Sequence, residues 1–151
     1  MTAEFIEIKV AEYFGAKGQQ NRNIIIPNFR GFNFYIHDCD LFIVTPARWC
    51  YEVEIKTSLA DLKADLKKKH DHSDDIIKWL YFAIPEELYR DGFAYIPNHA
   101  GILVIGKSCR LKREPHLDAL RCRKLTEEEY LHLGRIACHR LWSAKRKLLE
   151  G

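Results

Sequence analysis

The stretch Asp38-Cys39-Asp40-Leu41-Phe42-Ile43-Val44-Thr45, followed after residues 46–49 by Cys50-Tyr51-Glu52-Val53-Glu54-Ile55-Lys56, decides how this chain folds. Residues 41–45 form a nearly continuous apolar run, as expected of a strand buried on both faces. Pro46 and Ala47 open a turn. In the second half Tyr51, Val53 and Ile55 alternate with Glu52, Glu54 and Lys56, so a strand puts the apolar side chains on one face and the charged ones on the other. Paired as a hairpin across the turn, the two strands bring Asp40 roughly opposite Glu54 or Ile55. Carboxylates and a lysine then meet at one end of a sheet.

C-terminal to this stretch, Ser58 with Asp61 three residues on is a weak capping box, and Leu59, Leu62 and Leu66 give the helix behind it an apolar stripe. Lys63, Lys67, Lys68 and Lys69 decorate that helix, and His70-Asp71-His72-Ser73 closes it. Residues 76–84 predict a strand ending at Pro85, residues 86–89 a helical turn, and residues 93–96 and 101–105 two more strands. Residues 107–124 lack periodicity and are expected to be extended or loop. Thr126 with Glu129 is a full capping box opening a helix to about Leu149, with Leu131, Ile136, Leu141, Trp142 and Leu149 expected mostly in the core. Its Arg135, Arg140, Lys145, Arg146 and Lys147 are expected to face outward.

Toward the N-terminus, residues 2–14 predict a helix, although residues 5–10 also alternate like a strand. Residues 23–26 predict a short strand stopped by Pro27, which lacks the ladder donor, and residues 29–36 a further extended piece after a turn at Gly31. This order of elements points to one α/β domain over residues 1–151, an α/β/α sandwich with a mixed central sheet flanked by helices and a long C-terminal helix.

The composition bounds the function class. Among 151 residues 47% are apolar and 30% charged, which is globular, and no apolar run approaches the roughly eighteen residues of a membrane span. Glutamates stand near the N-terminus where a signal peptide carries basic residues. Five cysteines with no CxxC spacing argue for free thiols, and a cytoplasmic protein is expected. The net charge of +3 divides unevenly: residues 1–106 carry 12 basic and 15 acidic side chains, and residues 107–151 carry 12 basic and 6 acidic. The basic part offers a surface for a polyanion.

Metal-dependent phosphodiester hydrolysis needs hard oxygen ligands, an activated water and neutralisation of charge growing on the phosphoryl oxygens. Asp40, Glu54 and Lys56 supply that set if the hairpin pairs as described. The competing reading is that Glu52, Glu54 and Lys56 form the wet face of an edge strand. Glu7-Ile8-Lys9 repeats the same pattern without upstream acids and is taken as ordinary surface.

The stretch Asp38-Cys39-Asp40-Leu41, then Glu52-Val53-Glu54-Ile55-Lys56-Thr57-Ser58 with Asp61 and Asp65, resembles the PD-(D/E)xK nuclease superfamily. More narrowly it is similar to small phage and bacterial proteins grouped with MmcB-type DNA repair proteins. Ala100-Gly101-Ile102-Leu103-Val104 and the Arg123-Lys124-Leu125-Thr126 approach to the last helix share in the resemblance, which covers roughly residues 23–149. No literal Pro-Asp pair precedes the tripeptide. The resemblance implies a restriction-endonuclease-like core and a Mg²⁺-dependent deoxyribonuclease, an endonuclease more than an exonuclease, with Mn²⁺ as a substitute. It implies that Asp40, Glu54 and the Ile55 carbonyl hold the metal and that Lys56 orients or activates the water. A glutamate of the first helix sometimes contributes; Glu4, Glu7 and Glu12 are eligible, with Glu12 preferred as nearest the helix end.

Asp38 is a second-metal ligand or a neighbour holding the site, and Glu52 a supporting residue behind it. Lys63 and Lys67, and Arg110, Lys112, Arg113, Arg121 and Arg123, are either solvated surface or contacts to a nucleic acid backbone. Without aromatic interleaving the basic stretch favours double-stranded or structured DNA over single-strand stacking. His70, Asp71, His72, Asp74 and Asp75 are a polar helix end, with a metal site or a supporting role in DNA contact as the rivals, and Cys39 is a packing residue. The alternative to catalysis is a nucleic-acid-binding protein that keeps the nuclease fold. The sequence leaves a homodimer open.

Overall fold

The computed structural model describes residues 1–16, 22–30, 38–67, 75–116 and 122–151. The expected extended piece over 31–36, Lys68, Lys69, the histidine cluster over 70–74, and Arg121 lie outside the described residues. The elements are α1 (Ala3–Ala11) with a π turn (Glu12–Ala16), β1 (Ile24–Phe29), β2 (Cys39–Val44), β3 (Cys50–Ile55), α2 (Leu59–Lys67), β4 (Ile77–Pro85), α3 (Tyr89–Gly92), β5 (Gly101–Ile105), β6 (Cys109–Arg113) and α4 (Glu127–Glu150). Short 3₁₀ turns, Glu86–Leu88 and Phe93–Tyr95, bracket α3.

The described strands form one mixed sheet in the order β1-β2-β3-β4-β5-β6. The β1–β2, β2–β3 and β5–β6 pairs are antiparallel, and β3–β4 and β4–β5 are parallel. A parallel step needs a crossover, and α2 supplies the one between β3 and β4. The β2–β3 turn closes with Arg48 at φ 68°, its N–H bonded to the Thr45 carbonyl at 2.8 Å.

Alternation on β2, β3 and β4 divides the core between two faces. Leu41, Ile43, Val53, Tyr81 and Ala83 pack on one side against Ile6 and Val10 of α1. On the other side Phe42, Val44 and Cys50 pack against Leu133 of α4, while Leu80, Phe82 and Ile84 pack against Leu62 of α2. Helices therefore cover both faces of the sheet, an α/β/α sandwich with a long C-terminal helix. The charged side of β3 runs between the two apolar clusters of the second face.

Several expectations need correction. β1 runs through Pro27, which pairs with Leu41, because β1 is the edge of the sheet among the described strands and an edge strand tolerates a missing donor. Residues 93–96 form no strand: Phe93 is half exposed in a 3₁₀ turn. The aperiodic basic stretch contains a strand, β6, whose alternation is hidden because its polar side chains are long and cationic. On α2 only Leu62 is fully buried, and Leu66 is exposed. On α4 the buried residue is Leu133, whereas Leu131, Leu141, Trp142 and Leu149 are more than half exposed. The α4 capping box is present: the Glu129 N–H donates to Thr126 Oγ1 at 3.1 Å and the Thr126 N–H to Glu129 Oε2 at 2.8 Å.

Two substitutions separate the cap from the packing of α4. Thr126→Ala is expected to cost about 1 kcal/mol in urea unfolding. Leu133→Ala is expected to cost roughly 2–5 kcal/mol, because it empties space between α4 and the sheet.

Candidate functional site

Leu41 pairs with Val53, so the next position outward sets Asp40 against Glu54. The Ile55 N–H donates to Asp40 Oδ2 at 2.7 Å, which ties the aspartate to the backbone between Glu54 and Lys56. Glu54 lies on the charged face of β3 with its side chain 13% exposed, and its Oε2 accepts from Lys56 Nζ at 2.9 Å. Lys56 Nζ also stands 2.9 Å from Asp65 Oδ1 on α2. The structure thus brings Asp40, Glu54, Ile55 and Lys56 together at the hairpin's end.

Asp65 carries no assigned role in the sequence reading, yet it holds the lysine. The signal was available: Leu62 turns α2 toward the sheet, and a residue three further on shares that side of a helix. Asp61 competes for attention one turn earlier but is used in the cap, accepting from Thr57 Oγ1 at 3.1 Å while its N–H donates to Ser58 Oγ at 3.2 Å. A side-chain hydrogen bond with Ser58, helped by Thr57, holds its carboxyl below the usual range.

Electrostatics follow from placing these charges between two apolar clusters. Burial pushes the Glu54 carboxyl up to about 7; the Lys56 ammonium pulls against that shift, and Asp40 and Glu52 add to it. Burial alone would lower Lys56, but Glu54 and Asp65 together outweigh it, so the ammonium is held above its ordinary range. Lys56 is thus a firmly held cation between its two carboxylates. Glu52 is 1% exposed behind the site. Cys39 is raised by burial and then by Glu52, Glu54, Asp40 and Asp38, which keeps it a neutral packing thiol.

On the first helix the eligible glutamates differ in their surroundings. Glu12 accepts from Lys9 Nζ at 2.9 Å. Glu7, which the sequence groups with ordinary surface, is raised first by its burial and then by Asp40, and Asn28 Nδ2 donates to its Oε2 at 3.4 Å. It adjoins the buried Ile6 and Val10, so α1 carries it toward the same end of the sheet. Asp38 instead meets Arg30 Nη1 at 3.0 Å with both side chains more than half exposed.

The basic residues scatter. Lys63 is exposed with Nζ 5.1 Å from the Tyr95 ring, and Lys112 is exposed with Nζ 5.9 Å from the Tyr89 ring. Lys67 closes α2. Arg110 pairs with Glu86. Arg113 turns inward: its Nε donates to the Ala100 carbonyl at 2.9 Å and its Nη2 to those of Ile96 and Pro97, and burial lowers its value. Arg123 bonds Glu129 through both terminal nitrogens, at 2.9 and 3.1 Å, and reaches Asp75 at 3.4 Å. Arg113 and Arg123 therefore brace loops in this conformation.

Among the described residues no three His, Cys, Asp or Glu side chains are arranged to hold a metal ion. The donor chemistry nonetheless suits a hard dication: Asp40 and Glu54 are carboxylates on paired strands, and the desolvated Glu54 gains from any added positive charge. Lys56 supplies that charge in the structure described.

The raised Glu54 value has a consequence for stability in the metal-free protein. Between the ordinary carboxyl value of 4.5 and about 7 the folded state holds a proton that the unfolded state has released, so stability falls as pH rises through that window. Glu54→Gln removes this dependence. Urea unfolding is expected to give similar stabilities for the two proteins below the window, with the variant the more stable above it.

No protein-family model and no curated protein sequence matches the chain. A solved structure does, the SPO1766 protein of unknown function from Silicibacter pomeroyi, with a TM-score of 0.70 at 17% identity over 96% of this chain and 92% of that one. At that identity the likeness is one of fold.

Proposed function

We propose that the chain is a metal-dependent nuclease with a restriction-endonuclease-like core, hydrolysing phosphodiester bonds of DNA in phage or bacterial DNA repair or processing. The observation that carries this reading is the bond from the Ile55 N–H to Asp40 at 2.7 Å, which sets Asp40 beside Glu54 with charged Lys56 adjoining. An edge strand with a wet face needs neither a buried Lys56 nor a Glu54 raised to about 7.

In this reading Asp40 and Glu54, with the Ile55 carbonyl between Glu54 and Lys56, hold Mg²⁺ or Mn²⁺. The bound cation supplies Lewis-acid polarisation of a phosphoryl oxygen and a more acidic water. The chain's own residues supply the rest. The Ile55 N–H fixes one oxygen of Asp40 and leaves the other to face a ligand. Lys56 keeps its proton and donates hydrogen bonds to an attacking water or to the phosphoryl oxygens, where its charge offsets the growing negative charge. Asp65 sets the position of Lys56. Glu7 stands near Asp40 as the first-helix carboxylate. The exposed Lys63 and Lys112 offer contacts to a phosphate backbone.

A second reading, a nucleic-acid-binding protein that keeps the fold without catalysis, is favoured by one specific observation. Lys56 Nζ is engaged at 2.9 Å by both Glu54 and Asp65, a closed arrangement that is complete without a metal or substrate.

Cleavage assays over a panel of DNA structures with and without Mg²⁺ separate the two. The nuclease reading expects cation-dependent cleavage, abolished in Asp40→Ala and Glu54→Ala and lowered about 10²–10³-fold in Lys56→Ala. It also expects Mg²⁺ to raise the melting temperature of the parent protein but not of Glu54→Ala. Salt-sensitive DNA retention without cleavage, unchanged in all three variants, supports the second reading instead. Asp65→Asn leaves the proposed ligands intact and is expected to lower the cleavage rate about 10–100-fold, as loss of an outer supporting contact does.

A further inference from the structure

We propose that α4 is a dimerisation helix, which pairs antiparallel with α4 of a second copy of this chain about a twofold axis at Cys138. Over its 24 residues Leu133 is the buried position, and residues 141–150 are all exposed. Helices in water depend mainly on packing an apolar face, and this half of α4 packs on nothing within the described chain. Four apolar residues of the helix share one side: Leu131, Cys138, Trp142 and Leu149 follow at i, i+7, i+11 and i+18, a stripe on the side away from Leu133, while Leu141 and Leu148, also exposed, lie about a quarter-turn from it. Leu131, Trp142 and Leu149 are 57%, 62% and 90% exposed. Beside the stripe a groove of about 540 Å³ runs between α4 and Ile24 of β1, floored at Gly134.

Charge identifies the occupant. The first turn of α4 carries Glu127, Glu128 and Glu129, and its last turns carry Lys145, Arg146 and Lys147. Glu127 and Lys145 lie five turns apart on one flank of the stripe, and Glu128 and Arg146 likewise on the other. A second α4 laid antiparallel sets each acidic end against a basic end and opposes the helix dipoles favourably. A parallel arrangement sets like charges together. The interface is isologous, as a twofold requires. With the axis at Cys138, Trp142 of each copy meets the partner's Gly134, and the absence of a side chain there leaves the groove open to an indole. Around Gly134 a β-carbon would have Ile24 Cδ1 nearest, at 3.9 Å.

Sedimentation of the full chain over a concentration series is expected to show a monomer–dimer equilibrium. Trp142→Glu, at an exposed position, is expected to keep the circular dichroism spectrum and melting temperature of the monomer while raising the dimer dissociation constant about 30-fold or more. A short bismaleimide is expected to join two copies through Cys138, and to fail with Cys138→Ser and Trp142→Glu. Glu127→Lys/Glu128→Lys and Lys145→Glu/Arg146→Glu chains are each expected to dissociate alone and to pair when mixed. A chain that stays monomeric throughout, a dimer indifferent to Trp142→Glu, or a monomer whose DNA retention falls in that variant overturns the proposal. None of these readouts depends on cleavage.

Discussion

The hydrogen bond from the Ile55 N–H to Asp40 is the contact through which sheet geometry becomes site geometry. In an antiparallel pair a slip of one residue turns every side chain to the opposite face. Here such a slip would drive Glu52, Glu54 and Lys56 into the side occupied by Ile6 and Val10, and Val53 into the polar strip. The register of β2 against β3 therefore settles at once which face is apolar, which carboxylates are neighbours and where α2 must return. That register is in turn held by the tight turn at Arg48, and the stacked Phe29 and Phe42 rings, 4.5 Å apart, fasten β1 to β2 beside it.

The same placement explains why the site is electrostatically tense. Four carboxylates, Asp40, Glu52, Glu54 and Asp65, and one ammonium occupy a seam between two apolar clusters, and the ammonium is shared by Glu54 and Asp65. Lys56 is the counter-charge that lets Glu54 ionise near neutrality, and Asp65 holds it in position. Any ligand that approaches Glu54 must contend with Lys56, because a carboxylate with a raised proton affinity and a lysine with a firmly held proton form one coupled unit.

The hairpin was legible because its pattern is local: an apolar run, a proline turn and a strict alternation fix two strands, and the alternation alone separates Glu54 from Val53. The contributions of Glu7 and Asp65 were not, because they come from helices whose rotation is set by Ile6, Val10 and Leu62 packing onto a sheet that must already exist. Glu7 is one of three eligible glutamates and Asp65 stands in the motif without a role, and nothing local in the sequence singles out either. Reading Pro27 as a stop cuts β1 short, because that rule fails at a sheet edge. The α4 stripe was read as core because periodicity reports that a helix has an apolar side and says nothing of what covers it; α4 has two, and Leu133 marks the inner one.

Among the described strands β1 and β6 end the sheet order, each with one flank that no described strand pairs, and an open flank invites strand addition by another chain. β1 meets this with Pro27, which has no donor to offer, with Asn28 at φ 47°, and with Arg140 of α4 bonded to the Pro27 carbonyl. β6 meets it with exposed cations, Arg110 and Lys112, between its inward residues. Growth by edge-to-edge ladder formation is thereby disfavoured at both margins, without the sheet closing into a barrel among the described strands.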